Sequence, residues 1–196
     1  MQMQDVFRLF GEDIKQVEVY MEAYLRSEVR LIPEIIRHII DSGGKRFRPL
    51  LLLAASDLCG YRGDLRYPLA AVIEFIHTAT LLHDDVIDEA DVRRGKASAN
   101  RVWGNAASVL VGDFLYSKSF RLLTEYGNLD IIKLLSTTTN TMSEGEVLQL
   151  IKRGDVSITE ADYLTIIDKK TAVLISAACA LGGHLGEVEP DQIDAL

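Results

Sequence analysis

Apolar residues recur every three or four positions from the start of the chain. Val6, Phe10, Ile14, Val17, Met21 and Tyr24 fall on one stripe and predict a first helix. Pro33 suits the first turn of a second helix, which Gly43 and Gly44 end, and Pro49 suits the first turn of a third. Longer helices are expected from about Pro68 to Glu89, from near Asn105 to Tyr126, and from Leu129 to Lys152 before Gly154. Ser157 with Glu160 reads as a capping box, and Thr159 with Asp162 is an equally usable one, so a further helix begins there and runs past Ala180. Pro190 sits where a first helical turn would place it, yet the chain stops about two turns later, before a new helix could bury a full face. The expectation is an all-α single domain over residues 1–196 that is the amino-terminal part of a larger one. No hairpin signal and no fixed-period repeat is visible.

Composition narrows this picture. The chain has 196 residues, of which 48% are hydrophobic and 26% charged, enough for one real core. A net charge of -8 argues against a general nucleic-acid binder, which needs a basic face for phosphates. The opening "MQMQDVFRLFGEDIKQVE" mixes charges early and has no apolar stretch of signal-peptide type, so a cytoplasmic location is expected. The runs "AAVIEFIHTATLL" and "TAVLISAACALGG" fall short of the roughly 20 residues that cross a bilayer. Cys59 and Cys179 have no partner at metal-ligand spacing and read as small buried thiols.

Candidate chemistry concentrates in "LLHDDVIDEADVRRG", residues 81 to 95, where three carboxylates fall on an apolar helix and two arginines follow. On a helix Asp84 and Asp88 lie one turn apart and about 40° apart around the axis, with Asp85 flanking them, so their carboxylates are expected to converge. Such a cluster repels itself unless cations neutralise it. Oxygen ligands that supply one or two carboxylates per ion suit magnesium shared with a substrate's phosphates. Surface ion pairs to Arg93 and Arg94 are the plainer alternative.

His77 precedes Asp84 by two turns on nearly the same face, about 10 Å deeper; alone it would more often be a satisfied core histidine. "GGKRFRP" crowds Lys45, Arg46 and Arg48 at a helix start, where amide groups and the dipole already favour anions. A diphosphate would fit there; a basic loop offsetting an acidic protein is equally compatible with this stretch taken alone.

Taken together, "GGKRFRP", "HTATLLHDDVIDEADVRRG" and "DKKTAVLISAACALGG" resemble the all-trans polyprenyl diphosphate synthases, over residues from about 43 to 183 and in that family's order and spacing. The resemblance implies an isoprenoid synthase-type helical bundle with a central cavity. It implies that Asp84 and Asp88, with Asp85, hold magnesium ions (Mg2+) bridging the diphosphate of an allylic substrate. It further implies that Lys45, Arg48, His77 and Arg94 bind isopentenyl diphosphate, that Arg93 reaches the allylic diphosphate, and that Lys170 and Thr171 face the allylic group across the cavity. Gln149 and the run "STTTNTMSEGE" either line the cavity or form a hydroxyl-rich surface. A second Asp-rich motif, which the family carries on a later helix, is not found here; Asp191 and Asp194 do not reproduce it.

The implied reaction is ionisation of the allylic diphosphate, attack by the double bond of isopentenyl diphosphate, and proton loss. In the family, large aromatic residues just before the Asp-rich motif stop growth early. Here Ala79 and Thr80, with Ile76 and Ile73 beneath, predict an open shaft and a long, lipidic product of the quinone side-chain class. A homodimer is implied for the intact enzyme, with "NAASVLVGDFLYSKSF" as the candidate interface. Three rivals stand beside this reading. A class I terpene cyclase would not need "GGKRFRP" and His77, and a helical metal phosphohydrolase using His83 and Asp84 would need further histidines at ligand spacing. A noncatalytic prenyltransferase-like partner subunit would not need Asp84, Asp88, Lys45 and Arg48 intact.

Overall fold

The computed structural model describes residues 3–196, with side chains from Asp5 onward. The first apolar stripe forms two helices rather than one, α1 (Met3–Leu9) and α2 (Gly11–Tyr24), because Phe10 leaves the helical region at φ -96° and ψ 13°. The bend turns the Phe10 ring into the core, and the hydrogen bonds from Phe10 N to Val6 O and Ile14 N to Phe10 O continue across it. Helix α3 (Leu31–Ile40) begins two residues before Pro33, and α4 (Phe47–Leu58) two residues before Pro49, so each proline lies in a first turn where no intrahelical N–H is lost.

The axis of the molecule is α5 (Arg66–Ile87). Leu69 through Ile73, Phe75, Ile76, Ala79 and Leu82 are all fully buried, so this helix is covered on nearly every side instead of along one stripe. It packs on α2, α4 and α7 (Asn105–Tyr126), and α10 (Val173–Leu185) closes the bundle against α4 and α8 (Leu129–Lys152). Asn128 caps α8 by accepting from Ile131 N at 2.9 Å.

A short hairpin follows α5, contrary to the purely helical expectation: β1 (Val92–Arg93) pairs antiparallel with β2 (Lys96–Ala97). Its turn residues Arg94 and Gly95 both have positive φ, 52° and 81°, the geometry that lets a two-residue connection follow strand twist. Two residues per strand are too few to write an alternating pattern. Helix α6 (Ala99–Trp103) leads from the hairpin into α7.

After α8, Thr159 and Asp162 form the capping box of α9 (Glu160–Ile167), whereas the Ser157 hydroxyl is committed to Asp155 Oδ1 at 2.6 Å. Between α9 and α10, Asp168–Ala172 widens into a π-helical turn, and α11 (Pro190–Asp194) follows α10. Cys59 and Cys179 are free thiols. Among the described residues, no helix is long and apolar enough to cross a membrane.

Candidate functional site

Between α5, α7 and α8 lies a cavity of about 400 Å³. Thr80, His83, Asp84 and Ile87 line it from α5, Tyr116 from α7, and Met142, Ser143, Glu146 and Val147 from α8. Lys170, on the π-helical turn, reaches into this acidic corner: its Nζ is 2.7 Å from Glu146 Oε2 and 3.4 Å from Asp84 Oδ2. Burial would lower the Lys170 pKa, but the hydrogen bond to Glu146 and the field of Asp84 override it and raise it. Glu146 is pushed above the ordinary carboxyl range by burial and by Asp84, against the pull of Lys170. The Tyr116 hydroxyl is pushed up to about 12 by burial and by Glu146 and Asp84.

Gly145 is what allows α8 this close to the π-helical turn. A Cβ there would lie 2.8 Å from Lys169 Cβ and 2.9 Å from Lys170 N, so any side chain would separate Glu146 from Lys170. Widened helical turns of this kind recur at functional positions. Thr171, next on the turn, is exposed.

The three aspartates are not equivalent. Asp84 faces the cavity, and Asp88 is exposed as the C-cap of α5, its N–H bonded to Asp84 O at 2.7 Å. Asp85 does not join them. It points about 100° away around the helix, is fully buried, and accepts from Arg93 Nε at 2.9 Å and from its Nη2 through the same Oδ1. Its main-chain carbonyl also accepts from Asn100 Nδ2 and Ala90 N, so Asp85 and Arg93 tie the hairpin to α5. Among the described residues, no three His, Cys, Asp or Glu side chains converge as a ready metal cage. The donor set fits a hydrated hard cation nonetheless. Asp84 on the cavity wall and Asp88 one turn on at the exposed end of α5 are the carboxylates that would hold it, and Lys170 shows that a positive charge is accommodated beside Asp84.

A second, cationic cluster lies deeper along α5. The His77 pKa is drawn down to about 3 by burial and by Arg48, Arg94, Arg93 and Arg46, so the imidazole is neutral at physiological pH. Arg48 is half-buried, and its Nε is buried without a hydrogen-bond partner among the described residues. Burial lowers the pKa of Arg48 and of Arg94 against the pull of Glu74, with repulsion from Arg94 acting on Arg48 and from Arg46 and Arg93 acting on Arg94. Lys45 is exposed at the edge of the cluster. Half-buried Arg48, whose Nε lacks a partner among the described residues and which Arg94 repels, gives the cluster a surface suited to an anion.

Of the four residues expected to wall a shaft, Thr80 lines the cavity, while Ala79, Ile76 and Ile73 have no exposed surface and are absent from its lining. Gln149 is half-buried one turn beyond Glu146 and is also absent from the lining. The hydroxyls of Thr138, Thr139 and Ser143 donate back to carbonyls of α8 itself. His83 Nε2 is 3.1 Å from Val109 O and 3.3 Å from Asp113 Oδ1, and its ring stacks on Tyr116. Glu146 lies inside the polar run noted above, but only the preceding glycine marks it in the sequence. Tyr116 carries no such mark.

The whole chain is 45% identical over 196 residues to octaprenyl diphosphate synthase of Escherichia coli (strain K12), and spans 61% of that protein's length. A crystal structure of a decaprenyl diphosphate synthase from Rhodobacter capsulatus superposes with a TM-score of 0.95 at 46% identity, covering 98% of this chain and 59% of that one. A polyprenyl synthase from Caulobacter crescentus CB15, complexed with calcium and isoprenyl diphosphate, superposes with a TM-score of 0.96 at 42% identity, covering 99% and 59%. The chain thus spans about three fifths of the length of these relatives. With the polyprenyl synthetase family model matching residues 29–196 as well, the chain belongs to the polyprenyl synthetase family.

Proposed function

We propose that the protein containing this chain is a trans-prenyltransferase that condenses isopentenyl diphosphate with an allylic diphosphate to make a long polyprenyl diphosphate. The observation that carries this reading is the charge layout of α5. One helix presents Asp84 on a cavity wall with Asp88 at the helix end one turn on and, two turns below, His77 beside a cluster of arginines. Two polyphosphate substrates need two such places, one reached through cations bound to carboxylates and one formed by the protein's own cations.

In this reading Asp84 and Asp88 hold magnesium, which supplies charge neutralisation to the departing diphosphate when bound. Lys170 moves from Asp84 to the allylic diphosphate and donates to its oxygens; Thr171 and Gln149 are placed alongside. Lys45, Arg48, Arg94 and neutral His77 orient isopentenyl diphosphate. Arg93, expected to reach the allylic diphosphate, has its guanidinium bound to buried Asp85, and in this reading it acts by holding the hairpin in place so that Arg94 is presented from the hairpin turn. The carbon–oxygen bond of the allylic substrate breaks with its electron pair leaving on diphosphate. The double bond of isopentenyl diphosphate attacks the resulting cation, and a proton passes to the released diphosphate. No side-chain nucleophile is required; positioning and electrostatic stabilisation supply the rate.

The small Thr80 on the α5 side of the cavity wall supports a long product, as do relatives named for octaprenyl and decaprenyl products. The face of α7 that carries exposed Val109 and Leu110 is the proposed homodimer surface, and a cytoplasmic location is proposed with it. The test is incorporation of labelled isopentenyl diphosphate by the 196-residue chain and by a version extended at its carboxyl end. Apolar products of about thirty to fifty carbons are expected from the extended protein, and absence of any condensation product there would overturn the assignment.

A further inference from the structure

Arg46 is the middle cation of "GGKRFRP", yet its side chain is committed inside the protein. Its Nη1 is 3.2 Å from Glu74 Oε1, its Nη2 is 3.4 Å from Ile40 O, and its Nε is 3.5 Å from Glu18 Oε1. Glu74 is 5% exposed and sits one turn before His77 on α5. A carboxylate so buried requires a partner, and Arg46 is the side chain that provides one.

The backbone of Arg46 is also unusual. As the residue preceding α4 it adopts φ 49° and ψ 38°, the left-handed conformation that a bulky side chain seldom takes. The bend falls between exposed Lys45 and half-buried Arg48, which lies in the first turn of α4. Arg94 comes to the same place from the hairpin: a Cβ on Gly44 would be 2.9 Å from Nη1 of both Arg46 and Arg94. Three guanidinium groups are thereby crowded around one loop, with Glu74 the buried carboxylate acting on Arg48 and Arg94 as well as on Arg46.

We propose that Glu74 and Arg46 are positioning residues of the anion site. Their buried pair holds the left-handed bend that presents Lys45 and Arg48, and Glu74 offsets the repulsion among the arginines while the site awaits its ligand. This inference rests on the reading of that cluster as the isopentenyl diphosphate site. It makes a prediction opposite to simple electrostatics. Removing a negative charge beside an anion site should tighten anion binding by Coulomb's law, whereas loss of a positioning carboxylate weakens it.

The experiment is calorimetric titration of the 196-residue chain with isopentenyl diphosphate without divalent cations, for the parent, Glu74→Gln and Arg46→Lys. Both substitutions are expected to weaken binding on the order of tenfold, as removal of an orienting partner does elsewhere. Arg46→Lys keeps the charge and loses the fork that reaches Glu74 and Ile40 O together, so it decides the matter if Glu74→Gln does not fold. Unchanged or tighter binding in the folded variants would overturn the positioning role while leaving the site itself in place. Equal loss of Mn2+ binding at Asp84 and Asp88 would mean general loosening and would also overturn it. Failure of the parent to bind isopentenyl diphosphate would instead remove the reading of the site, and this inference with it.

Discussion

Lys170 Nζ stands 3.4 Å from Asp84 Oδ2, across the cavity from the helix that carries the aspartate and 86 positions later in the chain. The ammonium group neutralises one oxygen of Asp84 and is held on its other flank by Glu146 at 2.7 Å. In the proposed reaction, a divalent cation at Asp84 would therefore compete with Lys170 and free it toward a diphosphate.

That coupling sets the first prediction. Lys170→Gln should bind Mn2+ more tightly than the parent in the absence of diphosphate, because the competing cation is gone, and this can be read by electron spin resonance titration. In a complete enzyme the same change should cut turnover by about 10²-fold or more, as loss of a donor to a departing anion does. Weaker Mn2+ binding in the variant would contradict the competition.

The aspartates should separate into two classes. Asp84→Ala and Asp88→Ala should lower turnover by orders of magnitude with little change in melting temperature, since neither is part of the packed core. Asp85→Ala should instead destabilise the fold, by roughly 2 kcal/mol, because Arg93 loses its buried partner but keeps some access to water. Thermal melts of the three variants side by side would decide this, and a stable Asp85→Ala protein would refute the anchoring role.

His77 makes stability depend on pH. Its pKa is held at about 3 in the fold, below the 6.5 of the unfolded chain, so the unfolded state binds more protons between those values. Its contribution is therefore complete above about pH 6.5 and is lost as pH falls toward 3, with a slope of at most about 1.4 kcal/mol per pH unit. Denaturant midpoints measured across this range should fall less steeply in His77→Gln than in the parent. Identical slopes would show that His77 is not held neutral.

Product length should respond to Thr80 more cleanly than to Ala79. Thr80→Tyr places a ring into the cavity of about 400 Å³ and should shorten the products of a complete enzyme, as resolved by chromatography. Ala79 has no exposed surface, so Ala79→Tyr overpacks the bundle and should first appear as a loss of stability of roughly 1–3 kcal/mol. A Thr80→Tyr enzyme with unchanged products would remove the open-shaft argument.

The helices were legible in the chain because their signals are local. Three-to-four-residue apolar spacing, prolines in first turns and the Thr159–Asp162 box need only neighbouring residues, and they place α5, α7 and α8 to within about two residues of their ends. The shared face of Asp84 and Asp88 follows from helical geometry alone, and the crowding of Lys45, Arg46 and Arg48 from their adjacency in the chain. What the sequence could not determine is which of these charges remain open. Asp85 is closed by Arg93 because a two-residue hairpin folds back, and Arg46 is closed by Glu74 because a left-handed bend brings α4 against α5. Lys170 meets Asp84 and Glu146 because Gly145 lets a π-helical turn lie against α8. Each of these pairings joins residues distant along the chain through the packing of whole helices. Local spacing fixes the direction in which a side chain leaves its own helix, and only the packed bundle fixes the partner it finds.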